Sequence, residues 1–85
     1  MKKARNDIKN FVNVLQLAWQ TDFNARIAYN EEHNTFIVEL NVIRHDVMEA
    51  CVSYSARFEK RYKSAVLFVD AQDKNFPDFD WEKLE

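Results

Sequence analysis

Glycine is absent from this 85-residue chain, which contains one proline and one cysteine, Cys51. Phosphate-cradling loops, dinucleotide-binding fingerprints and nucleophile elbows all require glycine, so the sequence excludes these motifs. The lone cysteine excludes an intrachain disulfide, and with two histidines it provides too few ligands for the usual structural zinc sites. Turns are expected to use asparagine and aspartate, which tolerate left-handed backbone conformations.

Long hydrophobic runs are missing as well. No apolar stretch approaches the roughly 18 residues that a membrane span needs. The basic start, residues 1–5, is followed by polar residues and not by the apolar stretch of a signal peptide. A single thiol suits a reducing compartment. We therefore expect a cytoplasmic protein with no membrane contact, and its small size and lack of glycine would fit a phage or mobile-element protein.

The charge of the chain is unevenly distributed. The formal net charge is −2 at pH 7, which argues against a dedicated nucleic-acid-binding domain. Residues 70–85, here called the acidic-aromatic tail, contain six carboxylates against two lysines, a net charge of −4. The same segment carries three large aromatic residues and a leucine. It is therefore the most unusual part of the chain.

Hydrophobic periodicity predicts two helices and three strands. Residues 7–20 place apolar side chains at helical spacing, and Val14 and Leu17 extend this face toward a further neighbour. Residues 25–29 and 35–40 alternate as strands joined by a hairpin loop. A second helix is predicted from about Asp46, which with Glu49 has the spacing of a capping box. The fully apolar residues 65–69 predict a strand that is covered on both faces.

This order, α-β-β-α-β, predicts an α+β fold. We expect a small two-layer sandwich in which two helices cover one face of a three-stranded mixed sheet, with the last strand parallel to the second. Residues 1–69 would form a single α/β domain. The tail, residues 70–85, would either belong to this domain or dock on a partner. The sheet face away from the helices needs a cover, for which the tail and a second protomer are the candidates.

The tail is the strongest candidate for a binding site. Aromatic anchors surrounded by carboxylates suit a basic, partly apolar partner surface, because the charges steer association and the rings supply affinity. The predicted protein-binding residues are Phe76, Asp78, Phe79, Asp80, Trp81 and Glu82. The alternative is that the tail folds back and covers its own sheet. The first hypothesis predicts a non-catalytic adaptor or inhibitor, whose partner is another protein.

Two further functions are left open by the sequence. Cations crowd the end of the second helix and could contact phosphates, although such cations also complement a helix dipole. These residues are Arg57, Lys60, Arg61 and Lys63. The other alternative is a homodimer of structural role, formed through an edge strand or the uncovered sheet face.

No pattern of residues predicts an enzyme. His45, Asp46 and Glu49 lie close together at a predicted helix start, but the carboxylates are explained as caps and no further metal ligands are nearby. Cys51 falls on the apolar face of the second helix, where free cysteine behaves as a small hydrophobic residue. We expect no catalytic residue, no cofactor and no metal.

Overall fold

The computed structural model describes residues 2–41, 44–71 and 79–84. Its elements in chain order are α1 (Lys2–Trp19), β1 (Arg26–Asn30), β2 (Thr35–Leu40), α2 (His45–Tyr62), β3 (Ala65–Asp70) and β4 (Glu82–Lys83). The predicted α+β class, the two helices and the mixed sheet are confirmed. The prediction of three strands is wrong, because the sheet has four, in the order β3-β2-β1-β4.

The register of the sheet places alternate residues on the helix side. β1 and β2 form an antiparallel hairpin in which Ile27 pairs with Val38, and β3 runs parallel to β2, as predicted. Side chains of successive strand residues point to opposite faces. Ile27, Val38 and Phe68 therefore share one face, and all three belong to the buried core cluster.

Both helices contribute their predicted apolar stripes to this core. Ile8, Val12 and Leu15 of α1 are almost completely buried, and Phe11 stacks on Tyr54 of α2 with ring centroids 4.0 Å apart. The stripe of α2 is buried at Val47, Cys51, Tyr54 and Phe58. Helical spacing of apolar residues thus correctly located the core faces of both helices.

The fourth strand comes from the end of the acidic-aromatic tail. Lys83 pairs with Arg26 and Glu82 with Ile27, so β4 extends the sheet antiparallel to β1. Leu84, directly after β4, is buried in the core. Two strand residues are too few to show an alternating pattern, which is why the sequence did not predict this strand.

Several local expectations are also wrong. Val14, Leu17 and Val52 lie on predicted apolar faces but are largely exposed, and so is Leu67 of β3. Leu67 points to the sheet face away from the helices, so among the described residues β3 is not fully covered on that face. Asp46 and Glu49 do not form the expected capping box, since α2 begins at His45 and Arg44 occupies the N-cap position without a side-chain hydrogen bond.

Candidate functional site

The described part of the acidic-aromatic tail is residues 70–71 and 79–84. Of the six predicted protein-binding residues, Phe79, Asp80, Trp81 and Glu82 lie within it, whereas Phe76 and Asp78 fall outside the described residues. The rings of Phe79 and Trp81 meet edge to face, with centroids 5.7 Å apart. Both side chains are half-buried, and Asp80 and Glu82 are exposed. The arrangement presents two carboxylates beside an aromatic pair.

Trp81 lies on the sheet face opposite the helices. The guanidinium of Arg26 sits 5.1 Å from the centroid of its indole ring, within the range of a cation–π contact. The same guanidinium donates two hydrogen bonds to Glu39, at 2.7 and 2.9 Å. These bonds to Glu39 raise the pKa of Arg26, so the cation under the ring is permanent. Trp81 therefore lies over the Arg26 side chain on this face of the sheet.

Glu82 connects the tail to the first helix. Its carboxylate accepts a hydrogen bond from Arg5 at 2.8 Å, and both side chains are partly exposed. Ion pairs of this kind contribute about 1 kcal/mol or less. The backbone contacts are more important, because the Leu84 N–H donates to the Ala25 carbonyl at 2.9 Å and the Leu84 side chain is buried. The end of the tail is thus anchored on its own domain.

A groove of about 250 Å³ opens beside this anchored segment. Its apolar wall is formed by four residues of the hairpin, Ile27, Ala28, Tyr29 and Phe36. Its polar rim is formed by Lys2 and Arg5 of α1 and by Asp80 and Glu82 of the tail, and Arg5 is paired with Glu82. Two of the predicted binding residues therefore border an apolar hollow, a combination that the sequence did not reveal.

The basic residues at the end of α2 are placed together as predicted. Arg57, Lys60, Arg61 and Lys63 are all exposed. Two of them already have partners, since Arg61 donates to Asp7 at 3.2 Å and Arg57 donates to the Ser53 hydroxyl at 3.1 Å. Phe58, within this run, is buried and cannot stack on bases. Binding of phosphates here stays a prediction.

Sequence reasoning missed a polar cluster around Asp7. Its carboxylate accepts hydrogen bonds from the hydroxyls of Tyr54 and Tyr62 and from the guanidinium of Arg61. Partial burial alone would raise the pKa of Asp7, but these three donors outweigh it and lower the pKa below its usual value. Burial and the bond to Asp7 raise the pKa of Tyr54. The cluster joins α1 to α2, and neither tyrosine is in a state to act as a base.

The predicted helix start at Asp46 also forms contacts between helices. The Trp19 indole N–H donates to Asp46 at 2.7 Å, and this bond is the main reason that the pKa of Asp46 is lowered. His45 contacts Glu49 at 3.3 Å on an exposed helix surface. Among the described residues, no group of three or more histidine, cysteine or carboxylate side chains is arranged to hold a metal ion.

Cys51 has the surroundings of a core residue. Its side chain is 1% exposed, and burial raises the pKa of its thiol to about 11. The reactive form of cysteine is the thiolate, which is scarce at neutral pH when the pKa is this high. The environment is thus that of a small hydrophobic side chain, as the sequence suggested.

Comparisons with known proteins give this chain no relative. No protein-family description, no curated protein and no solved structure matches it. Within the described residues, neither α1 nor α2 is long and apolar enough to cross a bilayer.

Proposed function

We propose that this protein is a non-catalytic interaction module, an adaptor or inhibitor, that binds another protein through tail residues 79–82 and the groove they border. The observation that carries the proposal is the position of Asp80 and Glu82 on the rim of an apolar groove of about 250 Å³. Concave apolar surfaces with a few polar groups at their rim are typical binding sites. The partner would insert an apolar side chain into the groove.

The backbone next to the groove supports a strand-like partner. The Ala25 carbonyl bonds to β4, so the alternation of an antiparallel strand directs the backbone groups of Ile27 and Tyr29 to the same side. Pairing of β4 ends at Ile27, because the Trp81 N–H turns back to the Phe79 carbonyl at 2.9 Å. Within residues 79–84, no strand continues along Tyr29. An extended segment could therefore pair with this part of the edge.

The charge of the tail favours a basic partner. Residues 70–85 carry a net charge of −4, and at the groove Asp80 is exposed while Glu82 is paired with Arg5. Complementary charge accelerates association and selects against acidic partners. We therefore expect a partner segment in which apolar and basic residues alternate, so that one face enters the groove and the other meets the carboxylates.

The proposal is tested by reversing one charge at the rim. Asp80→Lys is expected to reduce recovery of the partner at least about tenfold in affinity purification from the cells that naturally produce the protein, because an attractive contact at the rim of the groove becomes repulsive. Glu32→Lys is the matched control, since Glu32 is exposed in the β1–β2 turn, away from the groove. Circular dichroism would verify that both variants fold.

Partner recovery that is equal for the wild type and both variants would contradict the proposal. Loss of the partner with Glu32→Lys as well as Asp80→Lys would show that overall charge, and not the groove, controls binding. Loss of the partner with Asp80→Lys alone supports the proposal. Slower amide exchange at Tyr29 in the complex would indicate that the partner pairs with the edge of β1.

A further inference from the structure

The outward face of α1 is uncharged over its C-terminal half. Residues 10–21 form the longest run without a charged residue in a chain that is 31% charged. Part of this run is buried in the core, but Val14 is 60% and Leu17 is 79% exposed. The remaining exposed residues of the run are neutral as well: Asn10, Asn13, Ala18, Gln20 and Thr21. This set of exposed side chains, with Val14 and Leu17, is here called the neutral face of α1.

A helix surface that faces only solvent usually carries charged residues. The exposed side of α2 follows this rule, since it carries carboxylates and cations from Asp46 to Lys60. The central parts of protein–protein interfaces, in contrast, are depleted of charged residues. Two exposed aliphatic side chains within an uncharged surface therefore indicate that the neutral face of α1 contacts another protein surface.

Opposite charges stand at the two ends of the neutral face. Lys9 precedes it, and exposed Asp22 follows it. Lys9, Asn13 and Gln16 follow one another along a single row of the helix. A shallow hollow of about 680 Å³ beside this row is lined by Asn13 and Gln16 and, at its far end, by Asp22. Lys9 and Asp22 therefore lie on the same flank of α1.

Neither of these two charges is neutralised within its own chain. The Asp22 carboxylate accepts a hydrogen bond from the Asn24 N–H at 2.8 Å, which leaves its charge in place. Within the described residues, no ion pair includes Lys9 or Asp22. Each end of the neutral face thus offers one charge to a group outside this chain.

We propose that the neutral face of α1 is a dimer interface, on which α1 of a second copy of this chain packs antiparallel about a two-fold axis midway between Val14 and Leu17. Helical residues rise by a constant step, so residues equally far from the axis lie level with each other. Val14 of each copy then packs beside Leu17 of the other. Lys9 of each copy is level with Asp22 of the other, and the two-fold axis keeps both on the same flank.

The distribution of charge favours a second copy over a different partner. Residues 10–21 offer no charge to a charged surface, whereas the same face of a second copy is equally uncharged. Opposite charges meet at both ends of the antiparallel pair, as the self-complementarity of a two-fold interface requires. In addition, α1 has no basic residue in its last turn. Lys9 of the second copy would lie near this end and complement the helix dipole.

Sedimentation velocity over a range of concentrations is the first test. Because half a helix per copy makes a small interface, the wild type is expected to be a monomer at about 10 µM and a dimer at about 500 µM. Leu17→Lys should weaken dimerisation at least about tenfold, because it places an unpaired charge in the interface. Val52→Lys is the matched control, since Val52 is 62% exposed on α2 and lies outside the proposed interface. It should dimerise like the wild type.

Charge exchange provides a second test, which is specific for the antiparallel arrangement. Lys9→Asp and Asp22→Lys each bring like charges together at both ends of the dimer, so each variant alone should dimerise about tenfold more weakly than the wild type. An equimolar mixture of the two variants should dimerise like the wild type, because the mixed dimer pairs opposite charges at both ends again. Circular dichroism would verify that both variants fold.

Any of three results would overturn this dimer. They are a wild-type chain that is still a monomer at about 500 µM, equal dimerisation of the Leu17→Lys and Val52→Lys variants, and a mixture of the charge variants that dimerises no better than either one. The interface includes neither the tail nor the groove and does not rest on the proposed function. Asp80→Lys should leave dimerisation unchanged, so failure of the dimer and failure of the groove proposal are separately observable.

Discussion

At the scale of single residues, several polar side chains have positions or partners in the structure that the neighbouring sequence does not predict. Asn24 and Asn34 adopt positive φ, as expected for turns in a chain without glycine, but Gln20 and Lys63 do so too. Asn6 or Asp7 could have capped a helix predicted from about residue 7, but α1 begins at Lys2, and Asp7 lies inside it, bonded to residues of α2. Caps depend on nearest neighbours and can be read from sequence. Partners far along the chain, such as Tyr54 and Tyr62, leave no local signal.

The Asp7 cluster predicts a specific dependence of stability on pH. The folded pKa of Asp7 is below the value of about 3.9 in unfolded chains. Its stabilising contribution is therefore present above about pH 4 and is lost as the pH falls through the folded pKa. Asp7→Asn is expected to lower the free energy of unfolding by about 1–3 kcal/mol at pH 7, because charge-assisted bonds are lost. Urea titrations at pH 3, 5 and 7 measure the free energy of unfolding of both proteins.

The difference between Asp7→Asn and the wild type should shrink toward pH 3, because below about pH 4 the Asp7 carboxylate of the unfolded wild-type chain takes up a proton more readily than that of the folded chain. Glu32→Gln is a suitable control, because Glu32 is exposed in a turn and the substitution also removes one negative charge. A deficit in Asp7→Asn that is the same at all three pH values would show that shape, and not charge, matters at this position.

At the scale of elements, the helices and the first three strands were predictable because each shows its own period of apolar residues. The ends of the helices were less predictable. α2 begins at His45 without a side-chain cap, and its C-terminal end is closed by Lys63 in the left-handed conformation, with its N–H bonded to the Glu59 carbonyl at 2.9 Å. Glycine is the usual residue at this position, and a glycine here would have marked the end of the helix in the sequence. This chain contains none, so the signal was missing.

Replacing the residue at this helix end should stabilise the protein. Lys63→Gly is expected to raise the free energy of unfolding by up to about 1 kcal/mol, because the left-handed conformation is strained for a residue with a Cβ atom. Lys60→Gly removes the same charge but lies inside α2, and it should lower the free energy of unfolding by about 1 kcal/mol. Urea unfolding at pH 7 compares the two. Destabilisation by both variants would indicate that Lys63 stabilises the fold through its side chain.

At the scale of the whole molecule, the sequence could not show how the tail completes the sheet. Both roles considered for it, cover and binding surface, concerned its aromatic and acidic side chains. The structure anchors it through a strand of only two residues and the side chain of Leu84. Trp81 contacts the guanidinium of Arg26 and the ring of Phe79. The candidate groove depends on this placement of the tail, so it could not be predicted from the sequence either.

The anchoring role of Leu84 is measurable. Leu84→Ala is expected to lower the free energy of unfolding by about 2–3 kcal/mol, because it removes a buried side chain from the core. Leu17→Ala, at a 79% exposed position, should change it by about 0.5 kcal/mol or less. Chemical denaturation followed by circular dichroism gives both values. Equal effects would mean that residues 79–84 contribute little to folding and act only as a docking segment.

The pairing of Arg26 with Lys83 has a consequence for biosynthesis. A ribosome synthesises β1 long before β4, which pairs with Arg26 and Ile27 on its outer edge, so the nascent chain carries an incomplete sheet while residues 31–81 are translated. Exposed strand edges in such intermediates favour aggregation. The nascent chain is therefore most at risk of aggregation in the interval between translation of these two strands, and binding by a chaperone would be most useful then.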